Sequence, residues 1–190
     1  LSEEIEKRGG EPEDPLVYKQ QYHNLLLDRI QHRIKGLRKG QIKPEEIVVP
    51  GSLQALDFIT QMGIKCFLAS GTDEKYVFEE AALLGTTQYF TGIYGALDDY
   101  QNFSKRMVIQ KIITENHLSG PELIAFGDGF VEIEDTKAAG GIAIGMATNE
   151  SERSGIDQWK RNRLVASGAD VIMPDFTTFN TLWQYLMKKE

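Results

Sequence analysis

The segment AFGDGFVEIEDTKAAGG, residues 125–141, decides the fold of this chain. It begins within a short apolar run, residues 123–126, which has the length and composition of a buried parallel strand. A glycine on each side of Asp128 allows the backbone to turn sharply where that strand ends. Glu132 follows four residues later, at the start of a predicted helix. The segment therefore predicts a strand, a tight turn with two carboxylates and a helix.

The two carboxylates of this turn have two interpretations. Asp128 and Glu132 lie just past the carboxyl end of a predicted strand, where they suit a hard cation that keeps most of its waters. Alternatively, the turn holds no ligand, and its acids only stabilise the N-terminus of the following helix. The residues around the turn leave both interpretations open.

Composition excludes several classes of protein. A length of 190 residues allows one domain with an appendage, and 41% hydrophobic with 26% charged residues is ordinary for a soluble chain. The net charge of −7 argues against general nucleic-acid binding. No apolar run has the roughly 20 residues of a membrane span, and no signal peptide is visible. Cys66 is the single cysteine, so we expect a reducing, cytoplasmic location without disulfides inside the chain.

The first part of the chain predicts helices without catalytic groups. Residues 1–14 are acidic and are interpreted as a frayed helix end and a Gly-Gly loop. From Pro15 onward, apolar residues recur at three- and four-residue spacing and predict an amphipathic helix: Tyr18, Tyr22, Leu26, Ile30, Ile34 and Leu37. Residues 29–43 hold six Lys or Arg and no acid. They form either a solvated face or a surface that draws anionic substrates towards a nearby site.

The pattern changes after Pro50-Gly51 to alternating helices and apolar runs, which is typical of βα units on a parallel sheet. Strands are predicted at residues 64–69, 88–94, 123–126, 141–147 and 170–173, and helices at residues 52–62, 73–84 and 104–117. Residues 159–163 are interpreted as the polar face of one further helix.

Polar residues follow several of these predicted strands. Ser70 ends one strand, and Gly71 lets backbone N–H groups point at an anion. Lys105 begins a helix and has the reach to bind a phosphate as a point charge. Together with the two carboxylates, they form a set suited to binding a phosphoryl group and a metal. Taken singly, Ser70 is also explained as a turn residue and Lys105 as a surface lysine, while mid-helix Lys111 is an alternative to Lys105.

The order and spacing of these motifs resemble the haloacid dehalogenase superfamily, in particular its phosphoglycolate phosphatase-like branch with a helical cap. The resemblance rests on residues 50–63, residues 69–72, Lys105, residues 127–132 and residues 138–140. It covers roughly residues 45 to 175.

The resemblance implies a fold and its domains. The expected fold is α/β, a Rossmann-like parallel sheet sandwiched by helices, with a partial helical cap. Residues 1–44 would be the remnant of that cap. Residues 45–190 would be the core of the fold without its first strand, the one that carries the nucleophile.

The resemblance also implies roles for site residues. Ser70 and Lys105 would be catalytic and, with Gly71, would bind the transferring phosphoryl group. Asp128 and Glu132 would bind or orient Mg²⁺. Glu132 stands where many relatives have Asp, and its longer arm favours direct ligation at Asp128 over direct ligation at Glu132.

The family's first motif, Asp-x-Asp on the central strand, occurs nowhere in the sequence. Asp98 and Asp99 do not form it, because they are consecutive and lie at the wrong place in the chain. In the family, the first of these aspartates is the nucleophile that forms an aspartyl-phosphate. The chain also begins at Leu1 rather than Met. We therefore interpret it as most of a phosphatase without its nucleophile. The upstream segment of the same protein, or another chain, is expected to complete the sheet.

The resulting prediction is a Mg²⁺-dependent phosphohydrolase that acts on a small phosphorylated metabolite through an aspartyl-phosphate. The nucleophile would lie upstream, and the 190 residues alone are expected to be inactive. The alternative is a non-catalytic phosphate-binding or regulatory domain of a larger protein, for instance beside a sugar kinase. Dehalogenation and phosphomutase transfer are other reactions found on this fold.

Overall fold

The computed structural model describes residues 2–96 and 104–188, so Asp98-Asp99 lies outside the described residues. The chain divides into two units, Leu1–Lys43 and Pro44–Glu190. No helix within the described ranges is both long enough and apolar enough to cross a membrane.

The N-terminal unit contains helices α1 (Ser2–Lys7) and α2 (Pro15–Arg38). Helix α2 begins where its sequence predicts, because the Asp14 carboxylate accepts a hydrogen bond of 2.8 Å from the backbone N–H of Leu16. The predicted apolar stripe is half-buried except at Tyr22, which is exposed. The origin of this unit as part of a cap stays a prediction.

The second unit alternates helices and strands. Its elements are α3 (Ser52–Gln61), β1 (Cys66–Asp73), α4 (Glu74–Leu83), β2 (Phe90–Ala96), α5 (Lys105–Asn116), β3 (Ile124–Gly127), α6 (Phe130–Ala138), β4 (Ile142–Met146), α7 (Gln158–Ala166), β5 (Val171–Met173) and α8 (Phe179–Leu186). The predicted α/β class with parallel strands between helices is confirmed.

Strand β4 lies at the centre of a three-stranded parallel sheet with the order β3-β4-β5. Gly127 at the end of β3 pairs with Gly145 of β4. The side chains of β4 alternate between two cores, as a strand buried on both faces requires. One core joins Ile144 and Met146 to Phe179 and Leu182 of α8 and to Ala55 of α3, and the other joins Ala143 and Ala147 to Ile133 of α6 and Leu164 of α7. Helices therefore cover both faces of this sheet.

Strand β1 differs from its prediction at both ends. It begins at Cys66 rather than at residue 64, because the N–H of Ile64 still donates to the carbonyl of Ile59 in α3. It continues to Asp73, and its regular pairing with β2 is interrupted between Ala69 and Asp73. Ser70 therefore lies in an irregular part of the strand and not at its end.

Strands β1 and β2 form a second, two-stranded parallel sheet. Across the described parts of the chain, β1 and β3 do not pair with each other. Two helices nevertheless connect the sheets: α3 contacts β1 and belongs to the core of β4, while α5 contacts both β1 and α6. Direct pairing of β1 with β3 would contradict the insertion of another strand between them. The described residues do not form that pairing, and the insertion itself stays a prediction.

Gly51 joins the start of α3 to the loop after β5. Its φ of 78° lies in the left-handed region, and a Cβ there would come within 2.6 Å of the backbone nitrogen of Thr177. The carbonyl of Pro50 accepts a hydrogen bond of 2.9 Å from the N–H of Phe176. The two segments therefore lie in direct backbone contact, which only glycine permits at position 51.

Candidate active site

The site begins at the turn that follows β3. Helix α6 starts at Phe130, with Gly129 as its N-cap residue. A Cβ on Gly127 would lie 2.8 Å from the Cβ of Glu132, and a Cβ on Gly129 would overlap the Glu132 carboxylate. Both glycines are therefore needed for Glu132 to fold back over the turn. A carboxylate in the first turn of α6 is also stabilised by the helix dipole.

Lys105 and Glu132 form an ion pair, and each side chain is 22% exposed. Lys105 is the first residue of α5, whose N-terminus is fixed because the Ser104 hydroxyl accepts a hydrogen bond of 3.2 Å from the N–H of Met107. Burial lowers the pKa of Lys105, while the carboxylates of Asp128 and Asp135 oppose that shift. The ammonium group therefore lies half-buried beside the carboxylates of the turn.

Asp128 is largely exposed and contacts a lysine that the sequence analysis did not identify. Its Oδ2 lies 3.8 Å from Nζ of Lys160 in α7, a distance that permits ion pairing but not a hydrogen bond. The Lys160 side chain is only 18% exposed and also pairs with Glu150. Lys160 thus contacts the carboxylate that was predicted to bind metal.

A Mg²⁺ ion fits this turn only if it keeps most of its waters. Within residues 2–96 and 104–188, no group of three or more His, Cys, Asp or Glu side chains is arranged to hold a metal. Asp128 offers an exposed carboxylate, whereas the Glu132 carboxylate is engaged by Lys105. Because Mg²⁺ commonly binds through one or two carboxylates plus water and substrate oxygens, the residues fit such an ion with Asp128 as the more available ligand.

Ser70 makes its observed hydrogen bond within its own segment. Its Oγ accepts from the backbone N–H of Thr72 at 3.2 Å, which leaves the hydroxyl hydrogen free to donate elsewhere. A Cβ on Gly71 would meet no atom within 4 Å, so this backbone is open on that side. The structure brings Lys105, Asp128 and Glu132 together, while the contacts of Ser70 and Gly71 do not join that group.

Lys111, the alternative to Lys105, lies elsewhere: its Nζ is 5.0 Å from the centre of the Tyr94 ring of β2.

The interpretation of residues 159–163 as a polar face was incomplete. Lys160 is mostly buried between carboxylates, and the guanidinium of Arg163 stacks 4.2 Å from the ring centre of Phe130. One signal could have indicated that α7 lies near the site: this helix follows β4, the strand that pairs with β3.

The sequence profile described as haloacid dehalogenase-like hydrolase matches residues 2–154. A comparison with curated proteins gave no match. The family match spans both units of the chain, including every residue discussed at the site except those of α7.

Solved structures of similar fold include three of bacterial origin. A haloacid dehalogenase-like protein of unknown function from Agrobacterium tumefaciens is 16% identical, with 97% of this chain and 76% of that chain covered and a TM-score of 0.68. A predicted phosphoglycolate phosphatase from Haemophilus somnus is 14% identical, with 95% and 72% covered and a TM-score of 0.63. A β-phosphoglucomutase from Clostridium difficile is 14% identical, with 80% and 61% covered and a TM-score of 0.55.

These structures are similar to the chain in fold. The chain spans 61% of the Clostridium difficile enzyme and 59% of a related Thermotoga maritima protein, less than two thirds of either.

Proposed function

Since the chain belongs to the haloacid dehalogenase-like hydrolase family, we propose that it is the larger part of a phosphatase for a small phosphorylated metabolite. The observation that carries this proposal is the half-buried Lys105–Glu132 pair beside the exposed Asp128 carboxylate. An ammonium group and free carboxylate oxygens at one end of a strand suit a phosphoryl group with a hard cation.

Lys105 would neutralise charge on the transferring phosphoryl group. Its side chain is 22% exposed, so water screens its charge less than it would at an open surface. The Asp128 and Asp135 carboxylates favour the charged form of the lysine, and its ion pair with Glu132 limits the movement of Nζ. Lys105 would therefore present a localised positive charge that does not have to reorganise during the reaction.

Ser70 would donate its hydroxyl hydrogen to a phosphoryl oxygen. The hydrogen bond from the Thr72 N–H to Ser70 Oγ uses only the acceptor capacity of this hydroxyl and limits its rotation. Gly71, with open space around its backbone, would allow the anion to approach the main chain closely.

Asp128 and Glu132 would hold Mg²⁺, Asp128 directly and Glu132 through water or through Lys105. When bound, the ion would supply electrostatic stabilisation to the phosphoryl oxygens. Asp128 suits this role because its carboxylate is exposed and its closest approach to Lys160, 3.8 Å, is too long for a hydrogen bond. Glu132 suits the outer position because its carboxylate is already paired with Lys105.

The aspartate nucleophile would be supplied by a strand that enters between β1 and β3, from the upstream part of the same protein or from another chain. Support comes from the division of the strands into two sheets that α3 and α5 connect. One inserted strand needs about 10 Å, twice the spacing of neighbouring strands. Within the described residues, β1 pairs only with β2 and β3 only with β4, so each has a second edge that the inserted strand would pair. Buried backbone N–H and C=O groups left unpaired cost about 1–3 kcal/mol each.

The proposal is tested with the 190-residue protein and with protein extended upstream of Leu1. We expect p-nitrophenyl phosphate to be hydrolysed with Mg²⁺ only by the extended protein, and this activity to be lost in its Asp128→Asn variant. Extended protein that binds phosphate but hydrolyses no member of a panel of sugar and acid phosphates would favour the regulatory, phosphate-binding alternative.

Strand insertion is tested separately by hydrogen exchange. The amides of β1 and β3 are expected to exchange more slowly in the extended protein, while those of β4 remain unchanged. Equal exchange in β1 and β3 with and without the upstream residues would contradict insertion between them.

A further inference from the structure

Helix α7 contacts the turn after β3 through two cations on one of its faces. Lys160 and Arg163 are three residues apart, so their side chains lie on the same side of the helix. Nζ of Lys160 lies 3.8 Å from Oδ2 of Asp128, and the Arg163 guanidinium lies 4.2 Å from the ring centre of Phe130. The two cations thus contact the two residues on either side of Gly129.

The burial of this ion pair is asymmetric. The Lys160 side chain is 18% exposed, whereas the carboxylate partners Asp128 and Glu150 are 68% and 74% exposed. A lysine is rarely so buried without a partner, and Glu150 supplies one close ion pair. Lys160 is therefore anchored by Glu150, and its ammonium group reaches Asp128 from a fixed position.

The loop before α7 fixes this anchor at the end of the sheet. The N–H of Asp157 donates to the carbonyl of Ala147 at 2.8 Å, and the Asp157 carboxylate caps α7 by accepting from the N–H of Lys160 at 3.0 Å. The Arg153 guanidinium donates to the carbonyls of Glu45 and Val48 at 2.8 Å and 3.0 Å. The position of Lys160 is thus set by backbone contacts at the end of β4, the strand paired with β3.

We propose that Lys160 is a positioning residue for Asp128. Its ammonium group would restrict the movement of the exposed carboxylate without a hydrogen bond to it, so that the carboxylate remains available to a metal ion. Without this contact, an exposed carboxylate after a glycine-flanked turn samples several rotamers, and each must be restricted before an ion binds. Partners that orient metal-binding side chains typically change metal affinity by about 10- to 100-fold when removed. The role assigned to Lys160 rests on the proposed binding of Mg²⁺ by Asp128.

A lysine that only competes with the metal for Asp128 would have the opposite effect. A positive charge close to Asp128 repels a divalent cation, so a lysine that only competes for the carboxylate would weaken Mg²⁺ binding. Replacing such a lysine with a neutral residue would tighten binding. Positioning and competition therefore predict changes of opposite sign in the dissociation constant for Mg²⁺.

The experiment measures Mg²⁺ binding by titration calorimetry on the complete protein. We expect Lys160→Met to raise the dissociation constant for Mg²⁺ about 10-fold. Lys160→Arg keeps the positive charge and should raise it much less. Lys137→Met is the matched control, because Lys137 pairs with Asp170 and should leave Mg²⁺ binding unchanged. Thermal unfolding of each variant establishes that it is folded.

The outcomes separate this inference from the proposed function. Tighter or unchanged binding in Lys160→Met, with binding lost in Asp128→Ala, overturns the role of Lys160 alone. Binding that Asp128→Ala leaves unchanged, or a wild-type protein that binds no Mg²⁺, refutes the metal site and this inference together. A double-mutant cycle of unfolding free energies for Asp128 and Lys160 without metal tests their contact independently, and zero coupling overturns it.

Discussion

Lys105 and Glu132 form an ion pair that joins the first residue of α5 to the first turn of α6. Because α5 also contacts β1, this pair lies where the elements of the two sheets meet. Each partner is half-buried, so the loss of either leaves an unpaired charge in a partly desolvated place. The pair therefore links the charge of the site to the packing of the fold.

Replacing Lys105 with Met should lower kcat/KM by at least about 100-fold in the active, extended protein, because a positioned charge on the phosphoryl group is lost. Lys111→Met is the matched control, since Lys111 lies over the Tyr94 ring and should change activity little. Steady-state kinetics on a phosphate ester checks both. Equal losses in the two variants would contradict the assignment of Lys105.

Asp128→Ala should abolish Mg²⁺ binding, and Glu132→Gln should weaken it less. The Asp128 carboxylate is exposed, whereas the Glu132 carboxylate is already paired with Lys105. Titration calorimetry on the complete protein measures both. A larger effect of Glu132→Gln than of Asp128→Ala would reverse the two roles.

Ile144→Ala should lower the free energy of unfolding by about 2–5 kcal/mol, because it leaves a cavity in the centre of β4. Ile144 is fully buried in a core that includes residues of α3 and α8. Val165→Ala is the control, because Val165 in α7 is 49% exposed, and it should change the free energy of unfolding by about 0.5 kcal/mol or less. Urea unfolding checks the pair, and a similar small effect at both positions would contradict this packing.

Asp170 makes the unfolding free energy depend on pH in acid. Burial raises the pKa of Asp170, but hydrogen bonds from Lys137 at 2.7 Å and from the Ala143 N–H at 2.8 Å outweigh it, and the net shift is downward. A carboxyl with a depressed pKa stabilises the fold above its unfolded value of about 3.9, and this is lost as pH falls through the folded value.

We therefore expect Asp170→Asn to be less stable than wild type at neutral pH and to lose less stability on acidification below about pH 4. Urea unfolding across this pH range measures both effects. Lys137→Met should reduce the same acid dependence, since Lys137 supplies one of the hydrogen bonds. Parallel curves for wild type and Asp170→Asn would show that Asp170 is not responsible.

The alternating fold was predictable because each buried strand is an apolar run and each helix has a recognisable start. Ser104 before α5 and the glycine-flanked Asp128 before α6 are local signals, and both were interpreted correctly as helix starts. The predicted end of β1 was wrong because Ser70-Gly71 resembles the end of a strand. Pairing with Ala96 of β2 instead carries the strand to Asp73, an effect of a distant partner that local sequence does not contain.

Lys160 could not be assigned for a related reason. Its neighbours Trp159 and Arg161 are exposed, so the local sequence is that of a solvated helix. It forms ion pairs with Glu150 and Asp128, which precede it by 10 and 32 residues, so the local sequence does not contain these contacts. Lys105 was selected because it follows a polar loop at a helix start, and the family resemblance implied its role, which stays a prediction.

The contact of Gly51 with the loop after β5 has a kinetic consequence. Residues 50–51 and 176–177 are far apart in sequence, so joining them closes a long loop, which is slow to form and contributes late in folding. Contacts absent from the transition state act mainly on the unfolding rate. Gly51→Ala should therefore accelerate unfolding while leaving the refolding rate nearly unchanged, so that this glycine determines how long the native state persists.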